Sequence, residues 1–261
     1  MPPSIALGRL AMARKYSTHL QSFTSSSATF RVLNPSSRPS NNGPLYILDS
    51  SFNPPTNAHL ALALSSLPTE TKATVLLLLA VQNADKQPKP ASFDYRLEMM
   101  ALLAHKIETQ TLATALIALS KHPRFVDKAR DVSLSFPSVA EVVWLVGFDT
   151  LTRILDKKYY LPKTVEESLR EFWEKNRFVC AIRGDEEAER TYLARIRSGG
   201  VEGVPPSWAD YITILEPVGK EDSSTRAREA AGKARWDEVG KVVPGEIAEY
   251  IRKEGLYNSK P

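Results

Sequence analysis

The chain has 261 residues, of which 43% are hydrophobic, an ordinary share for a globular protein with one substantial core or two small ones. Its net charge of +4 is misleading: five basic and no acidic residues precede Asp49, and the remaining 29 basic and 30 acidic residues nearly cancel. This distribution excludes a basic nucleic-acid footprint on the main body, and no apolar run approaches the roughly 18 residues that span a bilayer. The single cysteine, Cys180, cannot form an internal disulfide, which favours a reducing compartment.

The first 43 residues form a basic, serine-rich extension whose acid-free composition is typical of a transit peptide. A competing interpretation is structural, since Ala13, Tyr16, Leu20 and Phe23 recur at helical spacing and residues 28–33 ("ATFRVL") read as a strand. We expect a retained extension, with a helix and a strand packed on the core. A cytoplasmic or nuclear location follows, with a mitochondrial one as the alternative.

From Leu45 onward, apolar strands alternate with helical patterns. Strands are predicted at residues 45–48, 74–80, 114–119, 142–146, 178–182 and 211–215. Helices are predicted at residues 58–66, 93–106, 150–155, 165–175 and 186–197. Such alternation predicts a single domain over residues 44–261, an α/β fold with a doubly wound parallel sheet and helices on both faces. Ligands of such sheets bind beyond the carboxyl ends of the strands.

The stretch "LDSSFNPPTNAH" follows the first predicted core strand. Ser50, Ser51 and Phe52 would bring backbone N–H groups to the carboxyl edge of the sheet, where the helix starting near Ala58 adds its positive end. Thr56 and His59 could then reach a phosphate oxygen. The alternative is a threonine that caps the helix and a histidine that is partly buried.

Two further segments carry groups that suit a nucleotide. "EDSSTRAREAAGKA" begins a predicted helix with Ser223, Ser224 and Thr225 and places Arg228 one turn on, a set that suits a polyphosphate. In "WLVGFDTL", Gly147 permits close backbone approach and Asp149 can accept from ribose hydroxyls. The sequence has no P-loop, no GxGxxG, no paired Cys/His metal spacing and no Ser–His–Asp hydrolase motif.

Taken together, "SSFNPPTNAH" and "SSTRAR" resemble the (H/T)xxH and SSTxxR signatures of the nucleotidyltransferase superfamily. More narrowly, the chain resembles the nicotinamide-mononucleotide adenylyltransferase family, and its fungal branch in "LDSSFNPPT" and "GFDTLTRILDKKYY". The segments "RLEMMALLA", "VCAIRGDEE" and "VPGEIAEYIRKEGLY" are similar to later elements of that family.

The resemblance implies a Rossmann-like enzyme of NAD biosynthesis that joins nicotinamide mononucleotide to ATP, giving NAD and pyrophosphate. Whether nicotinate mononucleotide is preferred stays open. It places Thr56 and His59 on the ATP phosphates, Lys86 (or Lys89) as a neutralising cation, and Gly147 and Asp149 at a ribose. The remaining implied residues grip the leaving phosphates: Ser223, Ser224, Thr225 and Arg228. Mg²⁺ is expected on the substrate phosphates, without ligands assigned from the protein. The oligomeric state stays open.

Three departures from the family pattern bear on this expectation. Ser50 replaces a glycine, Asp222 replaces an isoleucine next to the second signature, and no tryptophan follows "FVD", where Lys128, Ala129 and Arg130 stand. We expect Tyr159 or Tyr160 to stack on the pyridine ring instead. Two alternatives remain: a nucleotidyltransferase acting on another phosphate, such as phosphopantetheine, and a nucleotide-binding interaction protein that hydrolyses ATP slowly at most.

Overall fold

The computed structural model describes residues 16–34, 43–81, 90–182, 186–215 and 223–258, which contain one seven-stranded sheet. The strands are β1 (Phe30–Val32), β2 (Leu45–Asp49), β3 (Thr74–Ala80), β4 (Thr114–Ser120), β5 (Val142–Gly147), β6 (Asn176–Ala181) and β7 (Ile212–Leu215). Their order across the sheet is β1-β4-β3-β2-β5-β6-β7. Strands β2 to β7 pair in parallel, and β1 adds an antiparallel edge on β4.

The sheet is doubly wound, as predicted, because successive strands step outward from β2 in both directions. Along each strand, side chains alternate between two buried clusters: Leu48 and Leu77 face one, Ile47 and Leu76 the other. The order of the strands reverses between β2 and β5, and the crevice at their carboxyl ends is where such sheets bind ligands.

Ten helices lie in the described residues: α1 (16–24), α2 (Asn57–Ser66), α3 (Phe93–Gln110), α4 (Phe125–Ser135), α5 (Phe148–Ile154), α6 (Val165–Leu169), α7 (Glu186–Arg197), α8 (Ser224–Gly232), α9 (Trp236–Val242) and α10 (Gly245–Lys253). The prediction of one helix over residues 165–175 is wrong, because α6 ends at Leu169 and a 3-10 turn, Phe172–Glu174, follows. Phe172 and Trp173 are both buried.

Helix α4 was not predicted from the sequence. Its buried positions are Lys128, Ala129 and Val132, and a lysine at a buried position interrupts the apolar pattern by which a helix is recognised. None of the described helices is long and apolar enough to cross a membrane.

The N-terminal segment shares the core of the main body. Phe23 on α1 is fully buried, Tyr16 is nearly so, and Leu20 packs against the same cluster. The Lys121 ammonium and the Arg31 guanidinium lie over the Phe23 ring, 5.1 and 5.5 Å from its centre. Removing residues 16–34 would therefore expose apolar surface of the sheet.

Helix α3 carries a buried carboxyl group, Glu98, where α1 and α10 meet it. Its Oε1 atom is buried without a hydrogen-bond partner among the described residues. Burial, and to a lesser degree the charges of Asp94 and Glu254, raise the pKa of Glu98 from 4.5 to about 7. The folded chain therefore holds a proton on Glu98 at pH values at which the unfolded chain has released it.

This raised pKa predicts the pH dependence of stability. The stabilisation is fully present below pH 4.5 and is lost as the pH rises from there through about 7, because the folded state binds more protons over that range. In Glu98→Gln this component should vanish, so the difference in melting temperature between variant and wild type should grow between pH 5 and 8. Glu171→Gln, which changes an exposed carboxylate, is the control and should follow the wild type. Parallel curves for wild type and Glu98→Gln would contradict the assignment.

Candidate active site

The turn that joins β2 to α2, residues 50–56, accepts hydrogen bonds from side chains of distant elements. Arg96 on α3 donates to the Ser51 carbonyl (3.3 Å), Arg228 on α8 to the Asn53 carbonyl (2.9 Å), and Ser224 to the Pro54 carbonyl (2.7 Å). The Tyr257 hydroxyl, beyond α10, donates to Asn53 Oδ1 (2.9 Å). Since the C=O and N–H of a trans peptide point in opposite directions, pinning the Ser51 carbonyl turns the Phe52 N–H away from Arg96.

The guanidinium groups of Arg96 and Arg228 both donate to this turn and lie close together. Burial lowers the pKa of Arg96, and the neighbouring positive charge of Arg228 lowers it further. Holding two like charges together is unfavourable, and an anion in front of the turn relieves part of that repulsion. The electrostatics of the turn thus favour an anionic ligand.

The backbone of the turn is strained at Phe52, whose φ is +46° and whose side chain is fully buried. A left-handed conformation costs a non-glycine residue about 1–2 kcal/mol. Ser50 is the position at which the family pattern has a glycine. The positive φ lies two residues further on, at Phe52. The Ser50 N–H donates to the Leu78 carbonyl on β3 (3.3 Å), so it does not face an anion as expected. The N–H groups of Ser51 and Phe52 have no acceptor in the described parts of the chain.

His59, in the first turn of α2, is hydrogen-bonded at both ring nitrogens. The Thr56 N–H donates to Nδ1 (3.0 Å), the Thr56 hydroxyl lies 2.8 Å from the same atom, and Ser50 Oγ lies 2.9 Å from Nε2. An amide N–H can only donate, so Nδ1 is an acceptor and the neutral imidazole carries its hydrogen on Nε2. His59 therefore donates to Ser50. This is the reverse of the arrangement that activates a serine nucleophile.

In the part of the chain that the structure describes, two neighbouring clefts lie at the carboxyl ends of the strands. The first, the β5 cleft, has a volume of about 270 Å³. The second, the α4 cleft, has a volume of about 370 Å³. The polar residues and glycine that line the β5 cleft are Asp49, Ser50, His59, Gly147, Asp149, Thr150 and Glu189. Those that characterise the α4 cleft are Ser51, Arg124, Phe125, Lys128, Arg153, Tyr159 and Tyr160. Asp49, Ser50 and Thr150 line both clefts, which therefore meet at the end of β2.

The clefts differ in charge. Asp149 and the buried Glu189 give the β5 cleft two carboxylates in addition to Asp49. Between the clefts, Asp49 forms an ion pair with Lys128 in which both side chains are almost fully buried. Lys128 Nζ also lies 5.1 Å from the centre of the Phe125 ring. A buried pair thus lies at the junction of the two clefts, and its lysine is one of the three residues that follow "FVD".

The tyrosines expected to stack on the pyridine ring both line the α4 cleft. Tyr159 is 45% exposed, with Lys158 over its ring. Tyr160 is half-buried and donates to the Ile154 carbonyl (2.6 Å), and burial raises its pKa to about 12. Arg153 and Arg124 lie at the same cleft, and Arg124 is paired with Asp127.

The residues of the second signature lie at the start of α8, beside the turn, and line neither cleft. Ser223 caps α8 by accepting from the Arg226 N–H (3.1 Å), and Ser224 bonds the turn. Arg228 donates to Thr225 Oγ1 (3.0 Å) besides the Asn53 carbonyl. Lys86, Lys89 and Asp222 lie outside the described residues.

The chain belongs to the cytidylyltransferase-like family, which it matches over residues 47–230. It is 38% identical over 249 residues to a Schizosaccharomyces pombe protein provisionally named a nicotinamide mononucleotide adenylyltransferase, covering 92% of this chain and 96% of that one. These matches confirm the resemblance drawn from the two signatures.

Solved structures show the same fold. Plasmodium falciparum nicotinic acid mononucleotide adenylyltransferase in complex with NaAD matches with a TM-score of 0.56 and 18% identity, over 83% of this chain and 98% of that one. The same enzyme in complex with APC matches with a TM-score of 0.53 and 17% identity, over 82% and 96% of the two chains.

Which side chains pair around the end of β2 was not predicted from the sequence. Asn53 and Tyr257 are joined across 204 positions, and Arg96 and Lys128 lie on helices on which charged residues usually face solvent. Only the fold brings them to the end of β2.

The contact between Tyr257 and Asn53 predicts a role for the C-terminal segment in shaping the turn. In Tyr257→Phe, loss of one hydrogen bond should lower the melting temperature by about 2–4 °C and the turnover by about three-fold or more. Tyr211→Phe, which removes a hydroxyl on the opposite face of the sheet, is the control and should keep its turnover. Unchanged turnover of Tyr257→Phe would mean that the turn keeps its shape without this contact.

Proposed function

We propose that this protein transfers the adenylyl group of ATP to the 5′-phosphate of nicotinamide or nicotinate mononucleotide, giving the dinucleotide and pyrophosphate. The observation that carries the proposal is the position of the His59 Nε2–H, which lies beside the point where the two clefts meet. Two nucleotides, one in each cleft, would bring their phosphates together there. Family membership and the relative from Schizosaccharomyces pombe support the same reaction.

The lining of each cleft suggests which nucleotide it takes. We assign ATP to the β5 cleft, where Gly147 permits close approach and the Asp149 carboxylate can accept from ribose hydroxyls. We assign the mononucleotide to the α4 cleft, whose tyrosines can stack on a pyridine ring. Arg153 at this cleft suits an anionic group of the same substrate.

The proposed chemistry requires no general base, because the attacking 5′-phosphate is already an anion near neutral pH. One of its oxygens forms a bond to the α-phosphorus of ATP, and the bond from that phosphorus to the bridging oxygen of the β-phosphate breaks. Negative charge builds up on the α-phosphoryl oxygens and on the leaving pyrophosphate. Catalysis then consists of positioning and of hydrogen-bond donors fixed in advance.

The donors come from the turn and from α2. The N–H groups of Ser51 and Phe52, the His59 Nε2–H and the positive end of α2 converge on this region. The Thr56 N–H fixes the histidine in the tautomer that donates. Arg228 uses its Nη1 and Nη2 to hold the turn and Thr225, and its remaining N–H groups can meet the β- and γ-phosphates. Lys86 or Lys89 remains our proposal for a further cation.

We propose that Mg²⁺ enters with ATP, bound to phosphate oxygens, since the ion keeps several waters and commonly binds substrate phosphates. The described residues include no group of three or more His, Cys, Asp or Glu side chains that could hold a metal ion. None of the steps above depends on a protein ligand to it.

An assay with both mononucleotides tests the proposal. The purified chain is incubated with ATP and Mg²⁺ and with nicotinamide mononucleotide, nicotinate mononucleotide or phosphopantetheine, and products are separated by chromatography. A pyridine dinucleotide with equimolar pyrophosphate is the expected result. ADP and phosphate alone would indicate a nucleotide-hydrolysing interaction protein, and product from phosphopantetheine alone would indicate the other transferase.

Replacing His59 separates catalysis from folding. His59→Ala removes the donor to Ser50 Oγ at the junction of the clefts, where the phosphoryl group would be transferred, and should lower turnover on the order of 100-fold or more, while the variant stays folded. His105→Ala, which removes an exposed histidine of α3, is the control and should match the wild type. Near-normal turnover of His59→Ala at an unchanged melting temperature would make the histidine purely structural.

Replacing each tyrosine of the α4 cleft tests the stacking. Leucine keeps bulk and removes the ring, so Tyr159→Leu or Tyr160→Leu should weaken mononucleotide binding several-fold and leave ATP binding near normal, as measured by calorimetry. The matched variants Tyr159→Phe and Tyr160→Phe keep the ring and should bind the mononucleotide almost as the wild type does. Unchanged affinity in both leucine variants would exclude stacking on either ring.

A further inference from the structure

Ser50 stands at the junction of the two clefts in a position set by the sheet. Its N–H donates to Leu78 on β3, which continues the strand pairing one residue beyond β2. Of the three residues that line both clefts, Asp49 is held by Lys128, and Ser50 is the one bonded to His59. A hydroxyl group therefore lies where phosphates from the two sides would meet.

The direction of the hydrogen bonds determines what this hydroxyl can do. The Thr56 N–H donates to Nδ1 of His59, so Nε2–H donates to Ser50 Oγ. Ser50 is then an acceptor towards His59 and must donate its own hydrogen elsewhere. Within the residues that the structure describes, no other side chain or carbonyl forms a hydrogen bond with Oγ.

We propose that Ser50 is a catalytic residue: its hydroxyl accepts from His59 and donates to the phosphoryl group in transfer. The proposal rests on the adenylyl transfer proposed above and assigns the Ser50 side chain a role beyond that of the backbone of the turn. A hydroxyl that donates to an anionic oxygen makes a short, strong hydrogen bond. Accepting from His59 polarises the Ser50 O–H, so the two bonds strengthen each other.

A second interpretation makes the opposite prediction. Ser50 could occupy the place on Nε2 that a phosphate oxygen needs, and the hydroxyl would then hinder the reaction. Removing it lowers turnover if Ser50 donates to the phosphoryl group and raises turnover if Ser50 blocks His59. The geometry favours donation, because a polarised hydrogen is left to point into the junction.

The test is a set of variants assayed for kcat and KM with ATP and the preferred mononucleotide. Ser50→Ala should lower kcat about ten-fold or more, with both KM values changed little, since the bond to the phosphoryl group strengthens in the transition state. Ser50→Thr keeps the hydroxyl and should stay within about three-fold of the wild type. Ser66→Ala is the matched control: it removes a hydroxyl that donates to the Leu62 carbonyl within the same helix as His59, and it should not change kcat.

A double variant distinguishes a shared action from two separate ones. If Ser50 and His59 act as one chain of donors, Ser50→Ala combined with His59→Ala should lose little more than His59→Ala alone. A loss equal to the product of the two single losses would overturn the proposal, as would a kcat for Ser50→Ala that equals or exceeds that of the wild type. A wild type that makes neither dinucleotide would instead overturn the proposed function, and this inference with it.

Melting temperatures identify variants that fail to fold, and for these Ser50→Cys provides a second test that retains a weak donor.

Discussion

The hydrogen bond from the Thr56 N–H to His59 Nδ1 determines how the rest of the site can work. It is only 3.0 Å long and joins the residue that caps α2 to the third residue of the same helix. It takes the position of the glutamate bond in an ordinary capping box, with imidazole as the acceptor. The bond that starts the helix is thus the one that makes Nε2 a donor and excludes His59 as a base towards Ser50.

The donor groups at the end of β2 depend on elements that are far apart in the chain. The Ser51, Asn53 and Pro54 carbonyl groups accept from α3 and α8, and the segment after α10 holds the Asn53 side chain. Within the described residues, the N–H groups of Ser51 and Phe52 remain for a ligand. The fully buried Phe52 ring anchors a backbone conformation that is unfavourable outside glycine. This short loop with two prolines is rigid because side chains of α3, α8 and the C-terminal segment form hydrogen bonds with it.

The sequence predicted the alternating elements and the doubly wound sheet because their apolar periodicity is set by burial on two faces. The candidate residues of the first signature lie together for a local reason, since Thr56 and His59 are three apart in one helical turn. The partners that hold the turn could not be predicted in this way. Tyr257 reaches Asn53 only once the C-terminal helix has packed on α3, and Lys128 reads as a surface residue until its partner Asp49 is known. The second signature predicted groups for the leaving phosphates, which stays a prediction, and its contacts with the turn through Ser224 and Arg228 carried no signal of their own.

The buried ion pair between Asp49 and Lys128 constrains how this protein can diverge from its relatives. A tryptophan at position 128 would leave the almost fully buried Asp49 carboxylate without its counter-ion, and breaking such a pair from one side costs about 3–5 kcal/mol. Loss of the carboxylate alone would strand the ammonium group in the same way. The two positions are therefore expected to change together or not at all. An aromatic residue at position 128 would have to arise by a paired replacement, passing through an intermediate that has lost a large part of the stability of a typical domain.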